Sequence, residues 1–506
     1  MSVPESSVQI ESLYADLDER LATLRDDPTP VDRSRARVED AMADGEAHYG
    51  INTGFGALAQ TQVPRDELET LQRNLVFSHA VGVGDLVPKD LSRLILRLKI
   101  HALGLGYSGV SRTTFDRLLL FAEQDLIPAL PSRGSVGASG DLAPLAHLAL
   151  PLLGEGQFWT EDETDVRPAA AAAVLDEHDL APITLQPKDG LALINGTQQM
   201  SGYGAHVLHE ARRLVKIADL LSAMSLEALQ GSITPFDERV HAVRPHPGAQ
   251  QVAANVRILL TDSEILESHR NCGKVQDPYC LRCVPQVHGA SRDALRHATQ
   301  IVEREINSVT DNPLVFEDGD VISAGNFHGQ PLALALDYAG IALAELASIS
   351  ERRIYLLLEG HDGLPELLME DTGLNSGYMM PQYTAAALVS ENKSLAHPAS
   401  VDSIPTSLGQ EDHVSMGSIG AVQLLDILDN AERVLAIELL TAAQALDYRL
   451  PLRPGRGVEI AHETVRRTIP HREEDYLLED DIDQSLAFVR AHTLLEPVAD
   501  ELEPLG

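Results

Sequence analysis

Apolar residues recur at three- and four-residue spacing near 205–230, 287–310, 328–359 and 413–447. That spacing puts an apolar stripe on one face of a helix, so it predicts four long helices. Several exceed the usual length of a globular helix, and such helices bury their stripes by lying side by side in a bundle. The pattern changes between 153 and 190, where Gly154 and Gly156 are followed by acidic residues, an alanine run and prolines. This stretch reads as a turn-rich excursion, with a hairpin, between helical parts. No internal repeat or clear linker is visible. The expected fold is mainly α. Residues 1–200 form a loop-rich N-terminal part with the small hairpin, and 201–506 form a long-helix bundle with C-terminal helices.

The most apolar long segment, Pro331 to Ser350, contains Asp337 and Glu345 and reads as a buried helix, not a membrane span. The first residues, MSVPESSVQIESL, lack a basic region followed by an apolar run, so no signal peptide is expected. Of the 506 residues 44% are hydrophobic, enough for a large core. Charge alters the picture more: 76 acidic against 39 basic residues give a net charge of −37. Such a chain repels nucleic acid and anionic membrane. Lysine occurs only at Lys89, Lys99, Lys188, Lys216, Lys274 and Lys393. A surface of this kind suits high salt, where ions screen self-repulsion, although an acidic protein of ordinary surroundings has the same composition. Three cysteines, Cys272, Cys280 and Cys283, point to a reducing, cytoplasmic setting. Cys280 and Cys283 have CxxC spacing, but no second pair completes a four-ligand zinc site, so they read as packed thiols and no metal is expected.

Function concentrates in the loops between helices. Residues 134–141 read GSVGASGD and lead into LAPLAHLAL. Asp141 suits a helix N-cap, and Pro144 falls in the first turn, where proline is tolerated. Three readings compete. The loop is a capped helix entry with glycines for tight turning. Or it cradles an anion, although the lysine of a phosphate-binding loop is missing. Or it is chemically active: the Gly140 nitrogen attacks the Ala138 carbonyl, water leaves, and loss of the Ser139 hydroxyl as a second water leaves an exocyclic methylidene on a five-membered ring.

Context decides among these. GSVGASGDLAPLAH resembles the ring-forming signature of the aromatic amino-acid ammonia-lyases and aminomutases. Further segments match in order along nearly the whole chain: HYGINTGFG at 48–56, NLVFSHAVGVG at 74–84, INGTQ at 194–198, KVQDPYCLRC at 274–283, GNFH at 325–328 and QEDHVSM at 410–416. The resemblance implies an aspartase/fumarase-like helical fold. It also implies a methylidene-imidazolone built from Ala138, Ser139 and Gly140 without an external cofactor, and a homotetramer with shared active sites. His79 in FSHA and Glu411 in QEDHVSM resemble the branch that deaminates histidine to urocanate. Phenylalanine-acting relatives usually carry apolar or amide residues at these two places. Bacterial tyrosine enzymes also have a histidine near His79, so the pair with Glu411 is the better signal. One departure is Cys280, where a serine is common.

The resemblance assigns roles that single residues do not. Tyr49, among glycines, is the candidate base for the β-proton; a phenol has a pKa of about 10, so the site must favour phenolate. By itself it is equally a packed loop tyrosine. Arg282 matches the substrate carboxylate with its guanidinium fork, or forms a surface salt bridge. Tyr279 lies near the substrate amine, or only packs. Asn195 and Gln276 hold carboxylate or backbone groups, or cap turns. Phe327 walls the pocket, or belongs to a core. His79 meets the imidazole, or is a satisfied core histidine. Glu411 faces the ring or the ammonia, or is the acidic start of the following helix. A tyrosine- or phenylalanine-acting relative, an aminomutase and a catalytically silent helical scaffold are the competing functions.

Overall fold

The computed structural model describes residues 7–43, 48–54, 63–161, 166–270 and 273–506. Residues 1–6, Phe55 and Gly56 of the HYGINTGFG segment, and Cys272 lie outside the described residues. The four long helices appear as α1 (Gln198–Ala228), α2 (Val284–Ile306), α3 (Gln330–Leu358) and α4 (Gly417–Asp447). Their periodicity located seven of the eight ends to within four residues, but α1 begins seven residues before the expected 205. Pro285 and Pro331 sit in the first turns of α2 and α3, where no intrahelical N–H is lost. The fold is mainly α, as the pattern of apolar positions requires.

The chain forms two compact units. The first comprises residues 1–206, 299–337 and 398–422; the second comprises 207–298, 338–397 and 423–506. These units interleave in sequence, whereas the residue pattern suggested one cut near 200. Four of the five boundaries fall inside a long helix, the exception being the one after His397, and a helix carries no composition change to mark such a boundary.

In the first unit, Gln157–Glu161 pairs antiparallel with Val166–Ala170, the hairpin expected in this region. Ile127–Pro128 adds a third strand to it. The alanine run was read as part of the excursion; it divides between the second strand and a helix, Ala171–Glu177. Pro131–Arg133 pairs with Val83–Leu86 and delivers the chain into the 134–141 loop. Helix Leu142–Ala149 leaves that loop and packs on helices Leu68–His79 and Asp189–Ile194.

The second unit is organised around parts of all four long helices, joined by a buried polar chain. Arg353 on α3 meets Glu438 on α4 through two contacts of 2.5 and 2.8 Å, both side chains fully buried. Ser225 on α1 and Ser350 on α3 also donate to Glu438, at 2.7 and 2.6 Å. His288 on α2 lies 3.3 Å from an Arg353 Nη and 2.8 Å from Asp219 on α1. Arginine only donates, so the facing His288 Nε2 accepts and Nδ1 carries the proton to Asp219. The ring is therefore neutral, and burial lowers its pKa accordingly. Asp219 stays ionised: burial would raise its pKa, but Arg292 and His288 outweigh that.

Helix α3 is apolar enough by composition to cross a membrane, with a mean hydropathy of 1.6, yet 61% of that window is buried inside the structure. Cys280 and Cys283 are half-buried free thiols, and burial raises the Cys280 pKa above the usual thiol value.

Candidate active site

The 134–141 loop is bent back on itself. Gly137, Ser139 and Gly140 all have left-handed backbone, with φ of 73°, 52° and 78°. Ser139 is not a glycine, so its conformation is strained and must be held by its neighbours. Gly140 runs beside Gly196 as a parallel bridge. A Cβ on Gly140 would stand 2.0 Å from the Gly196 carbonyl oxygen, so only glycine fits there. Asp141 N donates to the same oxygen at 2.7 Å.

Two donors converge on the Ser139 carbonyl. Asn195 Nδ2 approaches to 3.1 Å and Gly196 N to 3.4 Å. Asn195 is buried, and its Oδ1 has no hydrogen-bond partner among the described residues. The Ser139 hydroxyl lies 3.4 Å from Glu411 Oε1, while Thr406 Oγ1 donates to Glu411 Oε2 at 2.6 Å. Glu411 stands six residues before α4 begins, in a bridge with Thr406. It is not the acidic start of that helix.

Asp141 occupies the N-cap position of its helix but makes no side-chain cap there. Its carboxylate instead accepts from Met200 N, in the first turn of α1, at 2.9 Å and from Ser418 Oγ at 2.6 Å. The stronger demand comes from the buried start of α1, whose N–H groups lack other acceptors. Burial pushes the Asp141 pKa up to about 6.

QEDHVSM touches the loop, and GNFH lies beside it. Met416 N donates to Val136 O at 2.9 Å, and His328 Nε2 lies 3.1 Å from His413 O, so GNFH and QEDHVSM adjoin. Phe327 beside His328 is half-buried. His79 ends its helix half-buried, with Nδ1 2.8 Å from Leu75 O. A carbonyl only accepts, so Nδ1 carries a proton, and in the neutral ring Nε2 is an acceptor. Tyr49 lies half-buried in a turn, and Gly50 packs on Leu191.

The remaining expected residues belong to the second unit. Tyr279 is 70% exposed, and the Arg282 guanidinium lies over its ring at 4.6 Å. Arg282 Nε donates to Asp277 O at 2.9 Å, which aims the fork. Gln276 and Arg282 line a cleft of about 680 Å³ together with Arg257, His269, Arg270 and Lys274. Asp237 and Asp277 line the same cleft, and Lys274 is paired with Asp362 at 2.5 Å, so its charge is mixed.

Residues 9–467 match the model of the aromatic amino acid lyase family. The chain belongs to this family. A histidine ammonia-lyase of Anaeromyxobacter is 53% identical over 460 residues, which cover 90% of this chain and 91% of the relative. The crystal structure of histidine ammonia-lyase from Trypanosoma cruzi superposes with a TM-score of 0.88 at 41% identity, covering 98% of this chain and 94% of that one. Tyrosine aminomutase from Streptomyces globisporus superposes with a TM-score of 0.90 at 35% identity, covering 99% of this chain and 98% of the other. Thr406, Ser418 and Lys99 were not legible as site residues. Only Lys99 left a signal: it interrupts the stripe Leu91, Ile95, Leu103 at four-residue spacing.

Proposed function

We propose that this chain eliminates ammonia from L-histidine to give urocanate, the first step of histidine breakdown. The electrophile is a methylidene-imidazolone closed from its own Ala138, Ser139 and Gly140. The carrying observation is the strained Ser139, whose carbonyl receives Asn195 Nδ2 and Gly196 N and whose hydroxyl faces Glu411. Gly140 is bent so tightly that no other residue fits, which suits its nitrogen closing on the Ala138 carbonyl. Once formed, the ring supplies an electron-poor carbon that takes the substrate amine and turns nitrogen into a better leaving group.

The residues divide the remaining work. Asn195 and Gly196 stabilise negative charge on the Ser139 oxygen, as fixed donors do wherever charge develops. Tyr49 removes the β-proton. Arg282 and Gln276 take the carboxylate, Tyr279 stands by the amine, and Phe327 walls the pocket. Thr406 orients Glu411 toward the leaving ammonia. His79 Nε2 accepts the N–H of the substrate imidazole, a contact that phenylalanine cannot make.

That last contact sets the expected selectivity. Leaving a buried polar partner unpaired costs about 1–3 kcal/mol, roughly ten- to a hundredfold in rate. Histidine should therefore be deaminated much faster than phenylalanine or tyrosine. His79→Leu should narrow the gap, mainly by lowering kcat/KM for histidine. Glu411→Gln should keep the fold and weaken activity. Equal specificity constants for histidine and phenylalanine in the wild type would remove the histidine assignment and leave the ammonia-lyase class; a β-amino acid product would indicate an aminomutase.

The working form is a cytoplasmic homotetramer that binds neither nucleic acid nor membrane and whose subunits complete one another's sites. Exposed Tyr338, Ile341 and Tyr355 on α3, with Met380 and Tyr383 on helix Met379–Leu395, support self-association. Exposure of Tyr279 in the single chain supports sites finished by a neighbour. The charge of −37 supports a protein adapted to high salt. Diluting salt lengthens the reach of like-charge repulsion, from about 3 Å at 1 M to about 30 Å at 0.01 M. Thermal melting and assembly by light scattering should both improve from low to molar salt, and a flat response would exclude the adaptation.

A further inference from the structure

A buried lysine lies directly behind the donors of the ring-forming loop. Lys99, on helix Lys89–Leu103, is 2% exposed. Its Nζ donates to the Asn195 carbonyl at 2.7 Å and reaches Gln198 Oε1 at 3.4 Å. Gln198 in turn donates to Thr310 at 2.9 Å. The Asn195 carbonyl and the Gly196 N–H are the two ends of one peptide group. A cation at the oxygen end draws electrons from the nitrogen end and makes that N–H a better donor. The N–H it strengthens is the one aimed at Ser139 O, and the same residue carries the Asn195 side chain that supplies the second donor.

The Lys99 Nζ is held by hydrogen bonds to a backbone carbonyl and an amide oxygen. Asp311, Lys188 and Asp141 are the charged groups that act on Lys99. Lys188 is itself paired with Asp311 at 2.7 Å, so Lys99 is not needed to neutralise that aspartate. Burial drives the Lys99 pKa down to about 7, with Lys188 adding to the effect and Asp311 and Asp141 opposing it. A methionine would fill the same space without the cost of burying an ammonium.

We propose that Lys99 is a positioning residue for the ring-forming loop, its ammonium fixing and polarising the Asn195–Gly196 peptide that delivers both donors to Ser139 O. This rests on the ring reading of Ala138, Ser139 and Gly140. The test uses the full chain and two variants, Lys99→Met and Lys99→Arg. Mass measurement of the proteolytic peptide containing 134–141 reads dehydration directly, and near-ultraviolet absorbance of the intact protein reads the ring. In the wild type that peptide should be lighter than its sequence by two waters; full mass would overturn the ring reading and this assignment with it. Lys99→Met should melt cooperatively yet show less dehydration and weaker absorbance. Its kcat should fall by about tenfold or more, the scale of a lost charged hydrogen bond, with KM little changed. Lys99→Arg keeps the charge and should recover much of the dehydration. A Lys99→Met protein with complete dehydration, wild-type kcat and only a lowered melting point would overturn the proposal. So would failure of both variants to fold, because Lys99 would then serve the fold as a whole.

Discussion

Ser139→Ala is expected to fold normally and to lose at least about a thousandfold in histidine turnover, some 4 kcal/mol of transition-state stabilisation. The substitution leaves the Gly140–Gly196 bridge and the Asp141 contacts in place, because neither uses the Ser139 side chain. It removes the hydroxyl whose departure creates the methylidene. Two measurements separate chemistry from folding: the melting point should change little, and the variant chain should lack the full loss of two waters expected of the wild type. A fully active Ser139→Ala protein would end the ring hypothesis whatever its mass.

Arg353→Met is expected to produce the largest loss of stability. Arg353 and Glu438 are both fully buried and meet through two contacts. Removing the cation strands a carboxylate that Ser225 and Ser350 can solvate but not neutralise. Breaking a buried pair from one side costs about 3–5 kcal/mol. The loss should appear as a lower denaturant midpoint. Adding Glu438→Leu should recover much of it, because the stranded charge is then gone. If the double variant is no better than the single one, the cost lies in packing and not in the unpaired charge.

The helices and the ring-forming signature were legible because both are local properties of the chain. An apolar stripe repeats every three to four residues, so α1 to α4 announced themselves, with all their ends but the start of α1 within four positions. Ala138, Ser139 and Gly140 are covalent neighbours, so the possibility of cyclisation is written in their order. Asp141 shows where local reading stops. Its sequence position suits the cap of its own helix, and it occupies that position. Yet its carboxylate serves the first turn of α1, a partner 59 residues away. Local propensity names the position, and the stronger unmet donor takes the side chain.

The sequence alone determined the helical class and the motifs, including the Ala138–Ser139–Gly140 run proposed to form the electrophile, since periodicity and covalent adjacency survive in one dimension. Tertiary structure decided which polar groups meet. Lys99 reaches Asn195 across 96 residues, Glu411 reaches Ser139 across 272, and Arg353 reaches Glu438 across 85. It also set the interleaved units, four of whose five boundaries fall inside helices of unbroken periodicity. The reason is desolvation: a charge costs little in water and much in a core, so its partner is fixed by whatever folding brings within hydrogen-bond reach once water is excluded.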